Sequence, residues 1–131
     1  MTTKQDSNAE PLVEVIHYAD PWCWWSWGLE PVISRLKEVY GDQIKVLYKM
    51  GGVTDYINEW RSEYQVSEDE ALRAWVSESS ELTGMPADKD YYLKSKMKST
   101  WPACIAFKAA QLQGEELAEK FLRRLTEVIA L

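Results

Sequence analysis

The run Asp20-Pro21-Trp22-Cys23-Trp24-Trp25-Ser26-Trp27 holds the residue best suited to chemistry, a cysteine where an apolar strand pattern gives way to a helical one. A thiol at such a junction meets backbone N–H groups without intrahelical partners and the positive end of the helix dipole. Both favour thiolate over thiol, and thiolate is the nucleophile. Cys23 is therefore the candidate catalytic residue. Ser26, at the second candidate catalytic position, either donates a hydrogen bond to that thiolate or caps its own helix. Four indoles crowd the same stretch, Trp22, Trp24, Trp25 and Trp27, and they cannot share one helical face. The expectation is that Trp25 packs inward and Trp24 flanks the thiol, and these two are the candidate substrate-binding residues. Two accessory candidates lie elsewhere. Cys104 is either a remote resolving thiol under a helical lid or a small apolar core residue. His17, the single histidine, either acidifies the thiol from the preceding strand or sits in the core as a satisfied imidazole. No His/Cys/Asp/Glu group has metal-ligand spacing, so no metal is expected. Gly51–Gly52 reads as a turn and not as a phosphate-cradling loop.

Several elements must position this run. Leu12 to Ala19 is nearly continuously apolar and β-branched, as a buried parallel strand should be, and Asp20–Pro21 breaks it. From Cys23 to Tyr40 the period becomes helical, with Leu29, Val32, Ile33, Leu36 and Tyr40 on the expected inner face. Gly41–Asp42 closes that helix. Ile44 to Met50 alternates as a second strand, parallel to the first because a helix crosses between them. Everything after Val53 reads as helical. Segments begin at Asp55, at a Ser67/Glu70 capping box with Leu72, Trp75, Val76 and Ser79 inward, and at Asp88. A further helix starts at Thr100–Trp101–Pro102, and a last one after Gly114 uses Leu117, Phe121, Leu122, Leu125 and Val128.

With these segments in view, the chain resembles the DsbA-family thioredoxin-like oxidoreductases, in particular a cytosolic branch with the pattern Asp-Pro-x-Cys-x-Trp-Cys-x-Gly. The resemblance rests on Asp20 to Gly28, on Lys49-Met50-Gly51-Gly52, and on Pro102-Ala103-Cys104 followed by Ala109-Ala110 and Gly114. Pro31 stands in the active-site helix at the spacing that thioredoxin-like helices carry. The resemblance implies an α/β fold: a disordered N-terminus at 1–10, the βαβ half of a thioredoxin-like domain at 11–53, and an all-helical insert at 54–131. Its C-terminal ββα part is expected to be absent. A two-strand sheet would then leave open edges, and a homodimer is expected. The pattern departs at Ser26, where the family keeps its second cysteine. A serine cannot attack a mixed disulfide, so the chemistry left is monothiol exchange, isomerase-like shuffling, or trapping of a substrate.

Composition narrows the classes. The chain has 131 residues, 46% hydrophobic, which suffices for one core. With 21 acidic against 15 basic residues it is a poor candidate for nucleic acid, whose affinity comes from clustered Lys and Arg. Lys94, Lys96 and Lys98 read as a solvated face. No stretch is long and apolar enough to span a membrane. Residues 1–10 lack a secretory core, and the expected location is the cytoplasm. Three functions follow. The leading one is a DsbA-like oxidoreductase acting on protein or small-molecule thiols and disulfides, without a bound cofactor. The second, by similarity to kappa-class glutathione transferases and chromene-carboxylate isomerases, uses Ser26 or Cys23 to orient glutathione as co-substrate. The third is a non-catalytic adaptor that keeps the fold.

Overall fold

The computed structural model describes residues 13–131, so the disordered segment expected at 1–10 lies outside the described residues. Strand β1 (Val13–Ala19) leads into helix α1 (Trp24–Tyr40). A 3-10 turn at Gly41–Gln43 then precedes strand β2 (Ile44–Met50). The strands pair in parallel, from Val13 opposite Ile44 to Ala19 opposite Met50. Five helices follow: α2 (Ile57–Glu63), α3 (Asp69–Thr83), α4 (Tyr91–Ser95), α5 (Trp101–Gln111) and α6 (Glu115–Ala130). This is a mixed α/β fold, a small parallel sheet with a mostly helical remainder. Among the described residues, no helix is long and apolar enough to cross a membrane.

Two packing centres hold α1. The sheet side buries Ala19, Ile33, Tyr48, Phe107, Ala110, Ala118 and Leu122, joining β1, α1, β2, α5 and α6. Burial at about 25 cal/mol per Å2 of apolar surface makes each of the large aliphatic and Phe side chains, Ile33, Phe107 and Leu122, worth about 1.5–3 kcal/mol. A second cluster joins Trp24 and Trp27 of α1 to Val76 of α3 and Ala130 of α6. Helix α3 approaches α1 so closely that a Cβ on Gly28 would lie 2.2 Å from Thr83 Cγ2. Only glycine permits that crossing.

The inner face of α1 therefore differs from the expected one. Trp24, Trp27 and Ile33 are buried, whereas Leu29, Val32 and Tyr40 are exposed. Ile33 is buried and Leu36 packs against the core as expected, while Trp24 and Trp27 join the inner side because α3 covers them. In the last helix Leu122 is buried and Phe121 packs against the core as expected, joined by the buried Ala118, Thr126 and Ile129, while Leu117 and Val128 face solvent. The capping box is absent as well. Helix α3 starts at Asp69 with Glu68 as N-cap and no side-chain cap bond. Arg61 controls that turn, donating to Val66 O (3.0 Å), Ser67 O (2.5 Å) and Asp69 Oδ1 (2.8 Å). Leu72, Val76 and Ser79 are buried as the periodicity requires, and α3 stops at Gly84 in the left-handed region. The helix expected over 88–98 shrinks to α4, where Lys94 pairs with Asp88 at 2.7 Å.

Candidate functional site

Asp20 organises the junction between β1 and α1. Its side chain is almost fully buried, and its Oδ1 accepts the Trp22 N–H at 2.8 Å. The second oxygen accepts the Val53 N–H at 2.8 Å and the Cys104 thiol at 3.4 Å. One carboxyl thus ties together the end of β1, the segment after β2, and α5. The backbone continues the turn: Cys23 N–H donates to Asp20 O, and Trp27 N–H donates to Cys23 O, both at 3.0 Å. Cys23 is the N-cap of α1, in extended conformation. The residue is half-buried, and its side chain makes no capping hydrogen bond to the helix amides.

The thiol borders a cavity of about 180 Å3 walled by Trp22, Trp25, Trp60, Trp75 and Tyr92. Its lining is almost wholly apolar. Aromatic rings brace one another around it, Trp60 against Trp75 edge-on at 5.3 Å and Trp60 against Tyr92 stacked at 6.2 Å. Apolar cavities near 150 Å3 hold a benzene-sized ring, so this one accommodates a single large apolar side chain. The Tyr92 phenol donates to Trp22 O at 2.5 Å. Burial, with Cys23 and Asp20 adding to it, pushes that phenol well above its ordinary value, so it remains a donor.

The sequence-predicted residues divide. Trp25 and Trp24 exchange their expected roles: Trp25 is 49% exposed and lines the cavity, while Trp24 is 4% exposed inside the α1–α3 cluster. With Cys23 as cap, Trp24 and Trp27 share the side that α3 covers, and Trp25 turns about 100° away. Trp24 pays for its depth with an indole N–H that has no partner. Ser26 does neither thing expected of it. Its Oγ accepts the Asp20 N–H at 3.2 Å, closing the first turn of α1 onto the strand, and no hydrogen bond joins it to Cys23. Cys104 is buried with its thiol aimed at Asp20. Burial first, then the Asp20 charge and hydrogen bond, push that thiol up to about 12, so it stays protonated at neutral pH. His17 is buried against Tyr48, ring centroids 5.6 Å apart, and does not line the cavity. Its Nδ1 has no partner, so it is not the satisfied imidazole expected. Desolvation lowers its pKa, with Glu30 opposing.

Asp20, Trp60, Trp75 and Tyr92 were not singled out by sequence. Asp20 read as a strand breaker and as the first residue of the family pattern, Trp60 and Trp75 read as inner faces of helices, and Tyr92 carried no reading of its own. An Asp–Pro pair directly before a helix, with its Asx-turn geometry, was the one available signal. Among the described residues, no group of three His, Cys, Asp or Glu side chains is placed to hold a metal ion.

A family model described as thioredoxin matches residues 17–131. The chain is 30% identical over 130 residues to the ClpXP adapter protein SpxH of Halalkalibacterium halodurans, covering 98% of this chain and 42% of that one. It is 32% identical over 120 residues to the ClpXP adapter protein SpxH of Bacillus subtilis, covering 90% and 38%. The protein of the same name from Shouchella clausii is 30% identical over 124 residues, covering 94% and 39%. The chain thus spans about two fifths of the length of the curated relatives it matches.

Proposed function

The chain belongs to the thioredoxin family, and on that premise we propose that it serves as a protein-binding adapter of the DsbA-like cytosolic branch, with no cofactor. In this role it holds a partner protein at the Cys23 cavity and serves ClpXP, the latter by analogy with relatives that are named ClpXP adapter proteins. The observation that carries the reading is the state of Ser26. Where a dithiol oxidoreductase keeps its resolving cysteine there is a hydroxyl engaged with the Asp20 amide. A mixed disulfide formed at Cys23 would have no neighbouring thiol to release it, since the Cys104 thiol is buried and protonated. The walls of the site remain: an aromatic cavity sized for one apolar side chain. Binding survives the loss of a second cysteine, and dithiol exchange does not.

The test uses full-length protein. Purified ClpXP is expected to bind wild type and Cys23→Ala alike in biolayer interferometry, with neither accelerating oxidation of a two-cysteine peptide. Faster oxidation by wild type than by Cys23→Ala, with no ClpXP binding, overturns the adapter reading.

A second reading keeps Cys23 as a monothiol nucleophile, with glutathione as co-substrate. It is favoured by the placement of Cys23 at the amide end of α1 and at the cavity mouth. Incubation with oxidised glutathione separates the readings. A stable adduct at Cys23 supports the monothiol. Thermal stabilisation by reduced glutathione without an adduct supports a transferase-like site, and neither effect leaves the adapter.

A further inference from the structure

The two oxygens of the Asp20 carboxyl hold two different walls of the cavity. Oδ1 accepts the N–H of Trp22 and Oδ2 the N–H of Val53, both at 2.8 Å. Trp22 belongs to the β1–α1 turn and Val53 to the segment after β2, and both line the cavity at Cys23. Asp20 itself is 2% exposed and does not line it. The backbone adds a third hold, the Asp20 C=O accepting the Cys23 N–H at 3.0 Å. All of these contacts are internal to the fold and owe nothing to which surfaces are open.

The Trp22 peptide is fixed from its other side as well. Its C=O accepts the Tyr92 phenol at 2.5 Å, so the residue before the thiol is held between a carboxyl and a buried hydroxyl. Its ring then lies 4.9 Å from Tyr91 and 6.0 Å from Tyr92. On the opposite wall, Thr54 is tied separately to Thr100, by bonds of 3.3 Å to Oγ1 and 3.0 Å from the Thr100 N–H. That leaves the Val53 amide to Asp20. The Cys104 thiol donates to the same carboxyl at 3.4 Å. All three groups facing it are donors, which suits a carboxylate, an acceptor only. An amide in its place offers a single acceptor oxygen and must turn an N–H toward one of the two walls.

We propose that Asp20 is a positioning residue for the cavity, setting Trp22 and Val53 so that one apolar side chain fits between the walls, without lining the cavity itself. The proposal rests on the reading of that cavity as the seat of a partner's apolar side chain. The test uses full-length protein and two reagents, N-methylmaleimide and N-phenylmaleimide. Each takes the Cys23 sulfur onto one carbon of its C=C bond and a proton from water onto the other; only the second carries a ring for the cavity. Peptide mass spectrometry gives both rates at Cys23, and the phenyl-to-methyl ratio is divided by that of free glutathione. In the wild type, burial of the ring is expected to raise the ratio about tenfold or more. Asp20→Asn, keeping one acceptor, is expected to lose most of that preference, and Asp20→Ala to return it to the glutathione value. Leu122→Ala weakens the sheet-side cluster, away from the cavity, and is expected to leave the ratio unchanged. Hydrogen exchange on the wild type needs no variant to fold: the Trp22 and Val53 amides are expected to exchange slowly, as groups closed inside the fold do. An unraised ratio in the wild type overturns the cavity reading, and this proposal with it. Three outcomes overturn the proposal alone: a raised ratio that survives in both Asp20 variants with native circular dichroism, an equal loss in Leu122→Ala, or fast exchange of either amide.

Discussion

Alkylation of the native protein at pH 8 should separate its two thiols decisively. Burial, followed by the Asp20 charge, raises the Cys104 pKa from 9.0 to about 12. That difference lowers the thiolate population on the order of a thousandfold relative to an unperturbed thiol. The side chain is also only 6% exposed, so reagent must wait for an opening of the α5 packing. Cys23 stands half-buried at the mouth of its cavity and needs no such opening. With iodoacetamide the folded protein is expected to take one label, at Cys23, while Cys104 reacts about a thousandfold more slowly than in urea. Peptide mass spectrometry reads both sites in one sample. Asp20→Asn tests the cause. It removes the charge beside the Cys104 thiol and speeds its labelling, yet burial, the larger cause, keeps the rate well below the unfolded one. The same change replaces an acceptor by a donor opposite the part-buried N–H of Trp22 or Val53, costing about 1 kcal/mol or more. Rates must therefore be compared where circular dichroism shows both proteins folded. Cys104 labelling at the unfolded rate in the folded protein would refute this account of the buried thiol. So would a Cys23–Cys104 disulfide forming under mild oxidant with the fold retained.

Three further outcomes follow from the packing. Gly28→Ala gains about 1 kcal/mol of helix propensity but forces a methyl to within 2.2 Å of Thr83 Cγ2; overpacking of this kind costs about 1–3 kcal/mol. Moving Thr83 aside also breaks its 2.8 Å bond to Ser79 O, so a net loss of about 1–3 kcal/mol is expected. Urea titration checks it, with partial recovery in Gly28→Ala/Thr83→Ser; a variant as stable as wild type refutes the close crossing. Trp24→Phe removes a buried indole N–H that has no partner and is expected to cost less than about 1 kcal/mol, whereas Trp60→Ala empties a core position for about 3–5 kcal/mol. Thermal melts of the two variants should differ accordingly. Burial holds the His17 imidazole below its ordinary 6.5, so the folded chain refuses a proton that the unfolded chain accepts. Its stability contribution is full above 6.5 and is lost as pH falls through the lowered value. Urea midpoints between about pH 7.5 and 5 should decline less steeply in His17→Leu; an identical slope would show that His17 does not set it.

The sequence by itself determined the elements and the chemical centre. The change of period after Ala19, with Asp20–Pro21 between, located the junction of β1 and α1 and placed Cys23 at the amide end of the helix, as the backbone geometry has it. These are local consequences of strand and helix periods and of proline's missing N–H, and they need no partner element. Which side of α1 is inside was decided elsewhere. Trp24 is buried and Trp25 is not because α3 crosses at Gly28, and that crossing depends on Thr83, far along the chain. Ser26 reads as a cap or a thiolate donor until the end of β1 folds back and presents the Asp20 amide to it. The cavity itself is tertiary, since its walls come from the β1–α1 turn, α1, α2, α3 and α4, and each ring seen alone in sequence is an ordinary core residue. Periodicity reports that a face is apolar; only the packing of the whole chain selects which apolar face meets another and which is left to bind.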